Sequence, residues 1–483
     1  MTLAGIFRGA GRARDRWIVL ALLAAVSLPA VTTRLYASDE IQYFAYLRSL
    51  WFDHDLSFDN EYRYFHDRGI ARAHNFHHTF LELTTATGRR FNFGTIGSAI
   101  LWAPFYAAGD AAARLMRALG APVAVDGFSR PYLAAVTYGS AVYGFLAVCL
   151  SIVAARRLLG AGFLAGLAVW IGTPLLFYMY VAGGFAHAGS AFAVALFVSV
   201  WLVVRDRWSL RGLAALGASA ALMAMMREQD AFFVVGPAID FGWSIVGAHR
   251  RADAAGVRTL LRRFAAGVAV AFACYLPQLA TYLVLYGHIG PPPEIANKMV
   301  WHAPWAPHVL LSPGHGLLVW TPLVVVSLAG LSWFAATGAG RVEQAPALRI
   351  GLCLLAMFAA QVYVSGSVDT WQAAGTFGQR RFVGTTVILV IGLAAALRMA
   401  AARTPRRVVL AAVAACVCWN LGLMAQFGTG LMDRQRMEPS RNAYTTLVVL
   451  PRMLPGLAYR YVFDRPSFYQ EAERYRDAPA GTP

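Results

Sequence analysis

The chain has 483 residues, of which 58% are hydrophobic and only 14% charged, and its formal net charge is +17. Soluble proteins carry roughly a quarter charged residues, so a soluble enzyme is excluded in favour of a single polytopic membrane unit. The surplus positive charge does not mark a nucleic-acid binder, because the arginines cluster in short loops between apolar runs, as the positive-inside rule expects.

Arg8, Arg12, Arg14 and Arg16 precede an apolar run over 17–31. The pattern could pass for a secretory signal. No small-x-small cleavage site follows it, however, and many apolar runs come after, so an uncleaved first span is expected. Crossing a hydrocarbon core of ~30 Å takes about 20 apolar residues. Twelve runs are candidates: 17–35, 93–116, 132–155, 161–180, 184–204, 211–226, 231–247, 264–286, 310–335, 349–365, 383–400 and 407–427. If all twelve cross from an inside N-terminus, Arg156, Arg157, Arg205, Arg207, Arg211 and the arginines of 250–263 all fall outside. Treating 93–116 as an interfacial or re-entrant segment returns every one of those loops to the inside. That run contains Gly94, Gly97, Pro104, Gly109 and Asp110, which suit a broken or surface-lying helix. The expectation is an all-α integral membrane bundle of about 11 transmembrane helices. Its N-terminus would be cytoplasmic and its C-terminus outside, in a bacterial inner (plasma) membrane.

This topology leaves a first outer loop over 36–130. A loop of that length is uncommon unless it is functional. It opens on Ser38-Asp39-Glu40 and an aromatic-rich amphipathic stretch over 41–51. Ser38 reads as an N-cap, and acids in a first helical turn complement the helix dipole. The following helix sets Ile41, Phe44, Leu47, Leu50 and Trp51 against Gln42 and Arg48, a pattern made to lie in the interface. Capping and chemistry are compatible here, since one acid can cap while the other faces a cavity. Outer short loops keep only Arg227, Lys298, Arg380 and Arg381 as cations. Residues 1–427 form the transmembrane unit. The tail, 428–483, is polar and aromatic, with Tyr444, Tyr459, Tyr461 and Tyr469, and is expected against the outer face. Cys149, Cys274, Cys353, Cys416 and Cys418 all lie in apolar runs and read as packing residues.

Four passages together carry a family resemblance. They are "SDEIQYFAYLRSLWFDHDLSF" after the first span, "FNFGTIGSAILWAPFY" (91–106), "LLSPGHGLLVWTPL" (310–323) and "WQAAGTFGQRRF" (371–382). The chain resembles the GT-C superfamily of membrane glycosyltransferases, of the aminoarabinose transferase and protein O-mannosyltransferase type. The resemblance implies a polyprenyl-phosphate-linked sugar donor, a glycan, lipid or protein acceptor, and an acidic residue of the first outer loop as base or metal ligand. Asp39 matches that position, with Glu40 its neighbour. The His-Pro-Pro motif of the mannosyltransferases is missing from the first loop, so no relative's sugar or acceptor carries over. The chemistry agrees with the resemblance: transfer needs a carboxylate to take the acceptor's proton. A phosphate leaving group calls for arginine. Arg380 and Arg381 suit that task, and Gly375 and Gly378 would let backbone approach a phosphate. Headgroup snorkelling is their alternative role. Arg227 is a weaker candidate that could simply pair with Glu228 or Asp230.

Five histidines fall in the first outer loop: His54, His66, His74, His77 and His78. The 74/77/78 spacing places two ring nitrogens on one side of a helix, and a divalent metal is one reading. A protonatable surface loop is the more economical reading, with phosphate binding by Arg72, His74 and His77 between the two. No residue is assigned as a metal ligand. Trp301 and the aromatics near it suit an interfacial belt, with sugar stacking open to Trp301. His315 and His187 sit at outer span ends, where each could face the cavity. Rival classes are a polytopic transporter or lipid flippase, which would want ionisable residues in mid-span, and a lipid-diphosphate-linked glycan polymerase or ligase. Nucleotide-cradling motifs are absent from the sequence.

Overall fold

The computed structural model describes residues 11–71, 75–338, 344–373, 375–401, 404–464 and 467. Its helices are α1 (Gly11–Ser27), α2 (Ser38–Arg48), α3 (Asp59–Asp67), α4 (Gly97–Ala118), α5 (Arg130–Leu159), α6 (Phe163–Gly172), α7 (Leu175–Tyr180), α8 (His187–Val204), α9 (Leu210–Met226), α10 (Val235–Arg250), α11 (Ala254–Tyr286), α12 (Pro293–Ala296), α13 (Ala306–Leu311), α14 (Leu317–Trp320), α15 (Leu323–Thr337), α16 (Gln344–Gly366), α17 (Thr386–Ala401), α18 (Arg406–Thr429), α19 (Pro439–Tyr444) and α20 (Leu450–Phe463). The described residues hold no strand, only a single bridge between Met299 and Val368.

Seven described helices are long and apolar enough to cross a membrane, and three shorter apolar ones accompany them. Two expected spans differ in detail. The run 161–180 is split at Thr173-Pro174 into α6 and α7, because Pro174 cannot donate to the helix ladder. The run 310–335 becomes helical in earnest only at Leu323, since Pro313, Gly314, Gly316 and Pro322 break everything before it. The segment 93–116 is largely the single helix α4, which passes through Pro104 and pairs Asp110 with Arg114 at 2.9 Å.

Within the bundle, close backbone approach replaces the hydrophobic drive that lipid cannot supply. A side chain on Gly330 of α15 would lie 2.2 Å from the Gly392 carbonyl of α17, so only glycine permits that crossing. A separate aromatic core is built from the 36–130 segment, with Phe44, Phe58, Tyr62, Phe65, Tyr106 and Phe128 all buried. It packs on the C-terminal ends of α9 and α11, where Met225, Tyr282 and Tyr286 join it. Tyr286 donates to the Asn92 carbonyl at 2.6 Å, and Thr95 donates to that of Met226 at 2.9 Å.

Several loop arginines gather at one end of the bundle. At one end Arg157 pairs with Asp206 at 3.1 Å, and Arg205 pairs with Asp240 at 2.8 Å. There too Arg398 donates to the Leu159 carbonyl at 2.7 Å and Arg263 to that of Trp208 at 3.4 Å. Arg157, Arg205 and Arg263, which charge parity assigned to inner loops, therefore meet at a common end. Following α5, α8, α9 and α10 to their opposite termini leads to the other end, which carries the aromatic core.

Candidate functional site

The segment after α1 is threaded against the turn that precedes α8. Thr32 N–H donates to the Tyr180 carbonyl at 2.7 Å, and the Tyr36 hydroxyl donates to that of Val181 at 3.1 Å. Gly184 allows the approach, since a Cβ there would lie 2.4 Å from Leu35 Cδ2 and 2.9 Å from Glu40 Cβ. The helix itself begins at Ser38, so Ser38 is not the cap that the sequence pattern anticipates. Capping comes from the third helical residue instead: Glu40 Oε2 accepts the N–H groups of Tyr36 and Ala37, each at 3.0 Å. Its other oxygen accepts Gly184 N–H at 3.2 Å, and the side chain is fully buried.

Asp39, one position earlier, points elsewhere. Its Oδ2 accepts from Arg380 Nη1 at 2.7 Å, joining residues 341 positions apart. Asp39 keeps 43% of its side chain exposed and Arg380 keeps 19%. The pair is therefore reachable, but not freely solvated. The guanidinium of Arg380 also lies 5.2 Å over the Phe185 ring. Gly378 adopts a φ of 61°, a left-handed turn that presents Arg380 at the head of the tight helical turn leading into α17.

Arg381 and Arg227 complete a cationic cluster, the charges of Arg380 and Arg227 both bearing on the Arg381 guanidinium. Arg381 Nη2 donates to the Thr370 carbonyl at 3.1 Å. Its own carbonyl accepts both Gln229 Nε2 at 3.0 Å and Gln361 Nε2 at 2.8 Å. Arg227 Nη2 donates to Gln229 Oε1 at 2.8 Å, so an amide holds it rather than Glu228 or Asp230. Tyr43 of α2 faces the same group. Burial pushes its phenol up to about 12, with Arg227 pulling down, Asp39 up and Arg380 down, so it stays a hydrogen-bond donor. Three cations, one accessible carboxylate and a protonated phenol at a bundle end can hold a phosphate while a base stands beside it.

The remaining expected residues are scattered around this centre. His315 is fully buried, stacked on Trp320 at 4.7 Å. Its ring nitrogens approach the carbonyls of Gly378 at 3.3 Å and Arg434 at 3.0 Å, tying the Arg380 loop to the C-terminal tail. Trp301 is exposed and sits beside Tyr363 and Phe232, with ring centroids 6.0 and 5.9 Å away. His77 pairs with Glu82 at 2.9 Å and packs against His66, and neither contact involves the Asp39–Arg380 pair. His74 and Arg72 lie outside the described residues. Among the described residues no three His, Cys, Asp or Glu side chains converge as a metal site would require. Sequence reasoning passed over Tyr43, Gln229 and Gln361. Only the period of α2, which sets Tyr43 one turn after Asp39, could have signalled the first of them.

The described residues form an all-helical membrane bundle whose long first loop is folded into short helices packed at one end. No family model matches the sequence, and no curated protein does either. Among solved structures, the chain is similar to the crystal structure of ArnT from Cupriavidus metallidurans bound to undecaprenyl phosphate. The identity is 19%, the match covers 95% of this chain and 75% of that one, and the TM-score is 0.50.

Proposed function

We propose that the protein is a GT-C-type membrane glycosyltransferase that moves a hexosyl or pentosyl group from a polyprenyl-phosphate donor to a glycan, lipid or protein acceptor. The observation that carries this reading is the Asp39–Arg380 ion pair, set beside Arg227 and Arg381 at the bundle end opposite the basic loops. The undecaprenyl phosphate held by the ArnT structure supports a lipid phosphate in the equivalent role.

In this mechanism the donor phosphate takes over Arg380 and Arg381, which releases the Asp39 carboxylate. The acceptor O–H gives its proton to Asp39 as its oxygen bonds the anomeric carbon. The bond from that carbon to the phosphate oxygen breaks, and the electron pair leaves on the lipid phosphate, whose growing charge the arginines stabilise. Glu40 fixes the turn that aims Asp39. Trp301 offers an exposed face for stacking on a sugar ring, while His77 stands on the loop surface from which an acceptor approaches. His315 holds the arginine loop in place.

The positive-inside rule then sets the basic end in the cytoplasm and the site in the outer leaflet, where nucleotide sugars are absent and a lipid-linked donor is needed. The unit over 1–427 and the tail over 428–483 follow the same orientation, in a bacterial inner membrane. Undecaprenyl phosphate binding tests the assignment. The wild type should bind the lipid in detergent, and Arg380→Ala should weaken it at least about tenfold, the cost of one charge-assisted contact. Equal affinity in the two proteins would remove Arg380 from the donor site.

A further inference from the structure

Several buried polar atoms around the cationic cluster have no hydrogen-bond partner among the described residues. They include Arg227 Nη1, Asp230 Oδ1, Gln361 Oε1 and Arg381 Nε. Asp230 is fully buried and Gln361 is 1% exposed. These residues belong to one assembly. Gln229 and Gln361 share the Arg381 carbonyl as acceptor, Gln229 holds Arg227, and Asp230 follows Gln229 within the field of Arg227. The other oxygen of Asp230 is occupied, accepting from Ser190 Oγ at 2.5 Å. Gly384 faces the unused oxygen, and a Cβ there would stand 3.4 Å from Asp230 Oδ1 and 3.0 Å from Ser190 Oγ.

An unpartnered carboxylate oxygen in a protein interior is costly, and such groups persist where something else completes them. What completes them can be read from their chemistry. A site for a phosphate alone would present donors only, since any acceptor would repel its oxygens. Here two donors, Arg227 Nη1 and Arg381 Nε, stand with two acceptors, Asp230 Oδ1 and Gln361 Oε1. A hydroxyl both donates and accepts, so adjacent hydroxyls satisfy a mixed set that a phosphate cannot.

We propose that Asp230, Gln361, Arg227 and Arg381 form a polyol subsite that grips the hydroxyls of the donor's sugar, so that this group, beside the Asp39–Arg380 pair, selects the sugar. The inference rests on the glycosyltransferase reading and goes beyond it in assigning recognition of the sugar to residues apart from the proposed base. Asp230 Oδ1 accepts one sugar hydroxyl and Gln361 Oε1 accepts another, while the two arginines donate to hydroxyl oxygens.

The test compares bare undecaprenyl phosphate with a panel of undecaprenyl-monophosphate-linked hexoses and pentoses, binding each to full-length protein in detergent. Wild type should bind one panel member more tightly than the bare lipid. Asp230→Asn should lower affinity for that member at least about tenfold, the scale of one lost hydrogen bond to a charged group, and leave bare-lipid affinity within about twofold. Gly384→Ala, which adds a methyl group against the same oxygen and keeps every polar group, should show the same split. Equal losses for both ligands, or none for either, in both variants would overturn the subsite. A wild type that binds bare lipid but prefers no sugar-bearing member also overturns it and leaves the lipid-phosphate reading standing. A wild type that binds no lipid at all overturns both.

Discussion

Replacing Asp39 by asparagine separates the proposed chemistry from architecture, because the two carry very different magnitudes. Asp39 makes one ion pair at 2.7 Å while 43% of its side chain remains exposed. Half-exposed pairs of this kind contribute about 0.2–1 kcal/mol. An asparagine oxygen can still accept from Arg380, and the Phe185 ring stays under the guanidinium. The stability loss should therefore remain below about 1 kcal/mol. Removing a positioned general base costs about 10²- to 10⁴-fold in rate, which corresponds to roughly 3–5 kcal/mol of barrier. The assay is transfer of a radiolabelled sugar from its undecaprenyl-phosphate carrier in proteoliposomes, run beside thermal unfolding of the same preparation in detergent. Asp39→Asn should unfold within a few degrees of the wild type and lose at least about a hundredfold in turnover. Turnover within threefold of the wild type would mean that Asp39 merely tethers Arg380. A large fall in unfolding temperature would make any lost activity structural.

Glu40→Ala should do the reverse of a catalytic lesion: it strands three backbone N–H groups, at about 1–3 kcal/mol for each group left buried, and thermal unfolding in detergent should register a clear loss of stability. In the first-loop core, burial pushes the Glu61 carboxyl up to about 7 against the opposing pull of Arg48. The folded state then holds a proton that the unfolded chain releases near its ordinary value of 4.5, so this group's contribution falls as pH rises from about 4.5 through 7. Glu61→Gln should flatten that part of the stability–pH curve, and an unchanged slope would locate the titration elsewhere. For the orientation, a cysteine placed at Ala255 in a background free of the native cysteines should resist a membrane-impermeant maleimide in intact cells, while one at Ser57 should react; labelling at 255 would invert the topology.

How much of this was legible in the sequence depends on the range of the interaction. Charge parity reads each loop on its own, and that was enough to group the loops of Arg157, Arg205 and Arg263, which the bundle brings to one end. The breaks at Pro174 and before Leu323 are local too, but a hydropathy average smooths over a single proline. Asp39 and Arg380 stood out separately, one as an acid after the first span and the other as a cation where cations are scarce. Their pairing across 341 positions could not be read from either neighbourhood. The division of labour between Asp39 and Glu40 also eluded the sequence, because Glu40 is satisfied partly by Gly184, a backbone group from another helix connection. Gln229 and Gln361 looked like ordinary polar residues near span ends, and only the shared Arg381 carbonyl reveals them as one cluster.

The proposed reaction uses a lipid monophosphate sugar donor at the Asp39–Arg380 end. Purified protein in proteoliposomes, offered radiolabelled undecaprenyl-monophosphate sugars and undecaprenyl-diphosphate-linked glycans in parallel with a membrane extract as acceptor, tests it most directly. Label should leave a monophosphate carrier, with undecaprenyl phosphate accumulating in step. Label leaving only the diphosphate carriers, or crossing the bilayer still attached to its lipid, would contradict it.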